Sequence, residues 1–237
     1  MIIATNVNKQ FGRQKVLDNI NLTFNKGQTI ALIGPNGSGK TTLIKCLLGM
    51  VIPDSGFITF NQKNIKHDWL YREKIGYMPQ LSRFPENMTI SQVLDMVKDI
   101  RNSKGTELDE DLVRTFGIGG LSSKRMSTLS GGTRQKVSAC LAFLFRPDVL
   151  ILDEPTAGLD PLSSEQLKEK IRMEKKNGKL ILITSHVLSD LDDLVTEVVY
   201  LQDGKLQLHK KLSTLQEETG QSQLNRVMAT IMAKNNR

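Results

Sequence analysis

Cysteine is nearly absent: the chain carries Cys46 and Cys140 and no third thiol. Two cysteines set within helical runs cannot build a disulfide framework or a metal site, so both are expected to be packing residues. Aromatic residues are 5% of the chain, which removes the stacking platforms that single-stranded nucleic acid requires, and no nucleic-acid partner is expected. No stretch reaches the roughly 18 uncharged apolar residues that span a bilayer. The N-terminus lacks the basic and apolar regions of a secretory leader. The protein is therefore expected in the cytosol, peripheral to a membrane only through a partner. Internal repeats, low-complexity tracts and Pro/Ser-rich linkers are also missing, so the 237 residues read as one large domain or a domain with a subdomain.

Hydrophobic residues make up 39% and charged residues 24%, enough to fill a core. The net charge of +7 is dispersed through mixed-sign segments such as Lys168–Lys176. A helix there, with Leu167 and Ile171 inward and Gly178 ending it, needs no ligand.

Short strands are expected at Ile2–Ala4, Leu22–Phe24, Thr29–Ile33 and Phe57–Phe60, with turn signals at Asn25-Lys26-Gly27 and Pro53-Asp54-Ser55-Gly56. A helix runs from Lys40 to about Leu48 and ends at Gly49. Thr89 and Gln92 form a capping box ahead of apolar residues at Ile90, Val93, Leu94, Val97 and Ile100. A second helix carries Leu108, Leu112, Val113 and Phe116. These define a helical insert over about residues 83–128. Alternation then resumes with Val149–Leu152, a helix, Leu180–Thr184, another helix and Val198–Leu201. With Gly34–Thr41 after the strand Thr29–Ile33 fitting a phosphate-binding loop, the fold class is α/β: a P-loop NTPase core with a mostly parallel sheet, an N-terminal antiparallel β portion and an inserted helical subdomain.

Gly34-Pro35-Asn36-Gly37-Ser38-Gly39-Lys40-Thr41 fits G-x-x-x-x-G-K-[ST] between a strand and a helix, and Thr42 follows it. Its glycines let successive backbone N–H groups face phosphate oxygens, and the next helix adds its positive end. Lys40 should reach the β- and γ-phosphates and Thr41 should ligate Mg²⁺. Val149–Glu154 reads as a buried strand in the sheet centre that ends in two carboxylates beside this loop. Asp153 would hold Mg²⁺ through water, and Glu154 would orient or deprotonate the attacking water. A nucleotide with Mg²⁺ is thus the expected ligand, and the signature motif Leu129-Ser130-Gly131-Gly132 ahead of this strand makes that nucleotide ATP.

With these motifs in order, the sequence resembles the nucleotide-binding subunit of the ATP-binding cassette (ABC) family over residues 1 to about 208, with a short helical tail at 209–237. The resemblance implies that Phe11 stacks on adenine, although a core phenylalanine would read the same. Gln80 would join Mg²⁺ and the attacking water to the helical insert. Leu129-Ser130-Gly131-Gly132 matches the family signature, and Ser130 can cap the helix behind it. That end would face the γ-phosphate of ATP held by a second copy, with Gly158-Leu159-Asp160 coupling the two subunits. His186, which alone could equally pack or face solvent, would contact the γ-phosphate. The chain departs from the family at Thr133, where glutamine is usual.

The expected function is an ATPase subunit that dimerises around two ATP and drives a separate integral membrane permease, an exporter of the ABC-2 or multidrug type. The segment Arg83–Asn87 would cup the permease. Ser185–Leu188 and the tail Leu212–Met232 also resemble subunits of the nitrous-oxide reductase maturation (copper-handling) system. A soluble ABC ATPase acting on DNA or ribosomes is the rival reading. It is disfavoured by the single cassette and by only 48 residues between Gln80 and Leu129, too few for a long coiled coil. A P-loop kinase or GTPase lacks the signature and His186.

Overall fold

The computed structural model describes residues 1–101 and 107–235. Residues 102–106 of the expected insert and 236–237 of the expected tail lie outside the described residues.

The chain opens with β1 (Ile2–Phe11) and β2 (Gln14–Phe24), an antiparallel hairpin much longer than the two short strands expected. β3 (Thr29–Ile33) then leads through the Gly-rich loop into α1 (Lys40–Leu47). β4 (Ser55–Phe60) and β5 (Lys63–Asn64) return to the hairpin, giving a four-stranded antiparallel sheet in the order β2-β1-β4-β5.

β6 (Ile75–Met78) precedes the insert and was not apparent in the sequence, because four residues interrupted by Gly76 carry no alternation. Within the insert, α2 (Ile90–Ile100) starts at the expected capping box. Thr89 Oγ1 accepts the Gln92 N–H, and the Gln92 side chain accepts the Thr89 N–H. The second insert helix, α3 (Asp111–Thr115), is a single turn and leaves Leu108 outside it. α4 (Gly131–Phe143) leads back into the core. There, β7 (Val149–Asp153), α5 (Pro161–Lys176), β8 (Leu180–Thr184) and β9 (Glu197–Gln202) follow the expected alternation.

β10 (Lys205–Lys211) pairs antiparallel with β9, so the tail's helices α6 (Leu212–Thr219) and α7 (Leu224–Asn235) begin at 212 and not at 209. The second sheet has the order β10-β9-β3-β8-β7-β6, parallel throughout except at the β10 edge. β7 therefore sits beside the edge strand β6 and not at the sheet centre.

Burial on both faces explains the unbroken apolar runs of the core strands. Successive side chains of a strand point to opposite faces. Accordingly, Ala31 and Ile33 of β3 join Leu150 and Leu152 of β7 in a core shared with the helical insert and the tail. Ile30, Leu32, Val149 and Ile151 join the core under α1 and the antiparallel sheet. Cys46 lies in the second core and Cys140 in the first, both as packing residues.

The mixed-sign run in α5 buries Leu167 and Ile171 as expected, but it buries charge too. Lys170 Nζ meets Asp109 Oδ2 at 2.6 Å, Glu174 Oε1 at 3.0 Å and Asp111 Oδ2 at 3.1 Å. Burial alone would lower the Lys170 pKa; the hydrogen bonds it donates to Asp109, Glu174 and Asp111 overcome that and raise the value. The cluster ties the core helix to the first turn of α3 in the insert.

Candidate active site

Parallel strands deliver their C-terminal ends to one sheet edge, and that is where ligands bind in open α/β sheets. The loops after β3, β6, β7 and β8 meet there around a cavity of about 410 Å³. Its lining includes Asn36–Thr42, Gln80, Asp153, Glu154 and His186. Gly34 and Pro35 open the same loop. Four segments far apart in sequence are thus brought together as expected, although β8 intervenes between the phosphate-loop strand β3 and the acidic strand β7.

The loop itself has the form of an anion cradle. Gly39 holds φ +100°, and a Cβ there would stand 2.6 Å from Val16 O, so no other residue fits. Ser38 is buried, and its Oγ has no hydrogen-bond partner among the described residues. An unsatisfied buried hydroxyl in such a loop is suited to an oxygen-rich ligand. Lys40 Nζ donates to Gly34 O at 2.7 Å and Pro35 O at 2.9 Å, lying across the loop. Burial pushes its pKa down, and the Asp153 and Glu154 carboxylates partly restore it.

At the acidic end, Asp153 is buried and accepts a hydrogen bond from Thr184. Glu154 is partly buried, and its Oε1 lies 2.7 Å from Nε2 of the exposed His186. Sequence reasoning named both residues but not this pairing. Glu154 also holds φ +53°, a left-handed conformation costly for a residue with a Cβ. Its carbonyl accepts from Ala157 N–H at 3.1 Å and from Gln135 Nε2 at 3.4 Å. Gln135 in turn accepts from Ser82 Oγ at 3.4 Å. This buried glutamine of α4 therefore links the segment after Gln80 to Glu154. Its sequence signal was a polar residue on the inward face of the signature helix.

Phe11 stands at the tip of the β1–β2 hairpin, 51% exposed, with Lys9 Nζ 5.3 Å from its ring centroid. It is not a core residue. Its strand partner Gln14 lines the cavity, so the hairpin tip lies at the cavity's rim.

Ser130, Gly131 and Gly132 do not line this cavity. Ser130 caps α4 by accepting the Thr133 N–H at 3.2 Å, and Thr133 Oγ1 lies 2.9 Å from Ser130 Oγ. The departure at Thr133 thus reinforces the cap. A Cβ on Gly132 would stand 2.7 Å from Gly158 O. Asp160 caps α5 through Ser163 and pairs with Lys136 of α4 at 2.9 Å. Its pKa is well below the usual carboxylate range because Ser163 N–H, Lys136 and the Ser163 hydroxyl all donate to it. The signature and Gly158–Asp160 form one exposed face, separate from the cavity lined by the phosphate loop.

Beyond Gln80, Phe84 and Met88 are half-buried and pack on the core, while Leu81 and Arg83 face outward. Ser82, Arg83, Phe84, Glu86, Met126 and Arg134 line a separate polar cavity of about 410 Å³. No helix among the described residues is long and apolar enough to cross a membrane.

The fold and the phosphate loop define a P-loop ATPase with an inserted helical subdomain. The profile of the ABC transporter family matches residues 17–157, and the chain belongs to that family as its ATP-hydrolysing subunit. The lantibiotic transport ATP-binding protein SrtF of Streptococcus pyogenes is 33% identical over 214 residues, which cover 89% of this chain and 91% of that protein. The L-cystine import ATP-binding protein TcyN of Bacillus subtilis is 32% identical over 215 residues, 86% of this chain and 83% of that one. A solved ATP-binding subunit of an ABC transporter superposes with a TM-score of 0.89 at 27% identity, covering 98% of this chain and 99% of that one.

Proposed function

We propose that the cavity holds Mg²⁺–ATP, that two copies of the chain close over two nucleotides, and that hydrolysis reopens them to drive a separate membrane permease. The observation that carries this is the convergence of Lys40, Thr41, Gln80, Asp153, Glu154 and His186 on one cavity. In this reading residues 1–208 form the ATPase domain, with the insert at about 83–128, and the tail follows.

Each residue then has a chemical task. Backbone N–H groups of Gly34–Thr42 and the Lys40 ammonium hold the phosphates. Phe11 covers the base from the rim. Glu154 accepts a proton from the attacking water as the water oxygen bonds to the γ-phosphorus and the bond to the β-phosphate oxygen breaks. His186, already against Glu154 Oε1, contacts the γ-phosphate. Thr41, Gln80 and Asp153 offer only oxygen donors, the set that suits a hard divalent cation. Among the described residues no group of three or more His, Cys, Asp and Glu is placed to hold a metal, so phosphate oxygens would complete the shell. When bound, Mg²⁺ neutralises phosphate charge.

The exposed Ser130–Gly132 face and the adjoining Asp160 would meet the γ-phosphate of the partner's ATP, since they do not line the cavity of their own copy. The outward surface of Leu81 and Arg83 is where the permease would dock, on the cytoplasmic side of the membrane. We propose export as the direction. The relatives named for lantibiotic transport and for cystine import share this cassette, which supports a reading in which the permease chooses the substrate. Neither of the two is named for copper handling.

Glu154→Gln tests the site. It keeps the phosphate contacts but removes the base, so turnover should fall on the order of 10²–10⁴-fold with ATP binding retained. Hydrolysis close to wild type would show that another group positions the water.

A further inference from the structure

One side chain of β8 grips the end of β7. Thr184 is 2% exposed, and its hydroxyl donates to Asp153 Oδ1 at 2.5 Å. The same oxygen accepts the Glu154 N–H at 3.0 Å, and the Thr184 carbonyl accepts it at 3.2 Å. Asp153 and Thr184 are register partners on neighbouring parallel strands, so this meeting is built into the sheet. A hydroxyl can serve both neighbours because it has one donor and two acceptor lone pairs.

The fold does not need that hydroxyl. Thr184 follows Leu180-Ile181-Leu182-Ile183 on a strand buried along its length, where a β-branched shape is what the sheet requires. Valine would supply the same shape and bury no polar atom. What the hydroxyl adds falls on two residues of the cavity. It fixes one oxygen of Asp153 and leaves Oδ2 for groups in the cavity. It also holds the N–H of a glutamate whose φ of +53° is not self-sustaining. Ala157 and Gln135 hold that residue's carbonyl, and His186, two residues beyond Thr184, holds its carboxylate. Of these four supports, only Thr184 touches both acids.

We infer that Thr184 is a positioning residue for ATP hydrolysis: its hydroxyl sets the orientation of Asp153 and locks the left-handed turn that aims Glu154 at the attacking water. The inference rests on the roles proposed above for Asp153 and Glu154. Thr184 does not line the cavity and acts through these two residues.

The test compares Thr184→Val and Thr184→Ser in the full chain. ATP turnover, equilibrium binding of ATP with and without Mg²⁺, and thermal melting are measured for each. Thr184→Val should lower kcat about 10–100-fold, the range expected when a reacting group is misplaced by an ångström or less. It should leave Mg²⁺-free ATP affinity within about two-fold and raise the Mg²⁺ concentration needed for tight binding, since the phosphate loop is untouched. Thr184→Ser, which keeps the hydroxyl, should recover most of the rate. Wild-type turnover in Thr184→Val, or equal loss in the serine and valine variants at matched melting temperature, overturns the assignment. If the valine protein does not fold, Thr184→Ala takes its place, and alanine turning over as fast as serine overturns it. Glu154→Gln run in parallel separates the two failures. An active Glu154→Gln sinks the site reading, whereas an inactive one beside an active Thr184→Val sinks only the role of Thr184.

Discussion

Lys40 and Glu154 face the same cavity, yet their loss should be felt at different steps. In the proposed site Lys40 would contribute a charge-assisted contact to phosphate, a binding term. Lys40→Ala should therefore weaken ATP binding and hydrolysis together, whereas Glu154→Gln spares binding. Equilibrium binding of ATP with Mg²⁺ present distinguishes them, and unchanged affinity in Lys40→Ala would contradict the phosphate role. The two thiols give a second prediction at this scale. Burial pushes Cys46 up to about 11 and Cys140 up to about 12. Unfolded thiols ionise near 8.5. Their folded pKa values are thus raised, so their contribution to stability is full below about pH 8.5 and is lost as pH climbs toward 11–12. At pH 8 the folded protein should take up no iodoacetamide, and the unfolded chain should take up two equivalents. Labelling of either thiol in the native protein would show that its helix opens.

Between elements, the Lys170 cluster joins α5 of the core to α3 of the insert. Lys170→Met would leave Asp109 and Glu174 buried with reduced neutralisation, although Lys179 still pairs with Glu174 at 2.6 Å. Removing one partner of such a buried network should cost about 3–5 kcal/mol, read as a lowered denaturation midpoint at unchanged slope. A midpoint within error of wild type would show that the cluster is solvated. The sequence displayed this segment only as alternating charge, because periodicity marks apolar faces and not which charges a tertiary contact will cover. The same limit hid the length of the β1–β2 hairpin, whose residues alternate irregularly around bulges. By contrast, the Thr89 capping box, the β3 strand and the phosphate loop were legible in full, since each depends on residues within a few positions of one another. The site residues were legible as motifs. The contacts that orient them, from Thr184, Gln135 and His186 to Glu154, were not, because they join β7 to other elements across a sheet register that no local pattern records.

At the scale of the molecule, the two halves of the proposed machine lie on different faces of one chain. The cavity carries the phosphate loop and the acids. The signature cap of Ser130, the close approach of Gly132 to Gly158, and the Lys136–Asp160 pair stabilise a separate exposed face. In the proposed mechanism a chain so divided would complete its site only when a second copy supplies that face. The direct measurement is light scattering on Glu154→Gln with and without ATP. The variant should bind nucleotide without consuming it, and its mass should double from one chain to two when Mg²⁺–ATP is added. A single mass unchanged by saturating ATP would contradict the account.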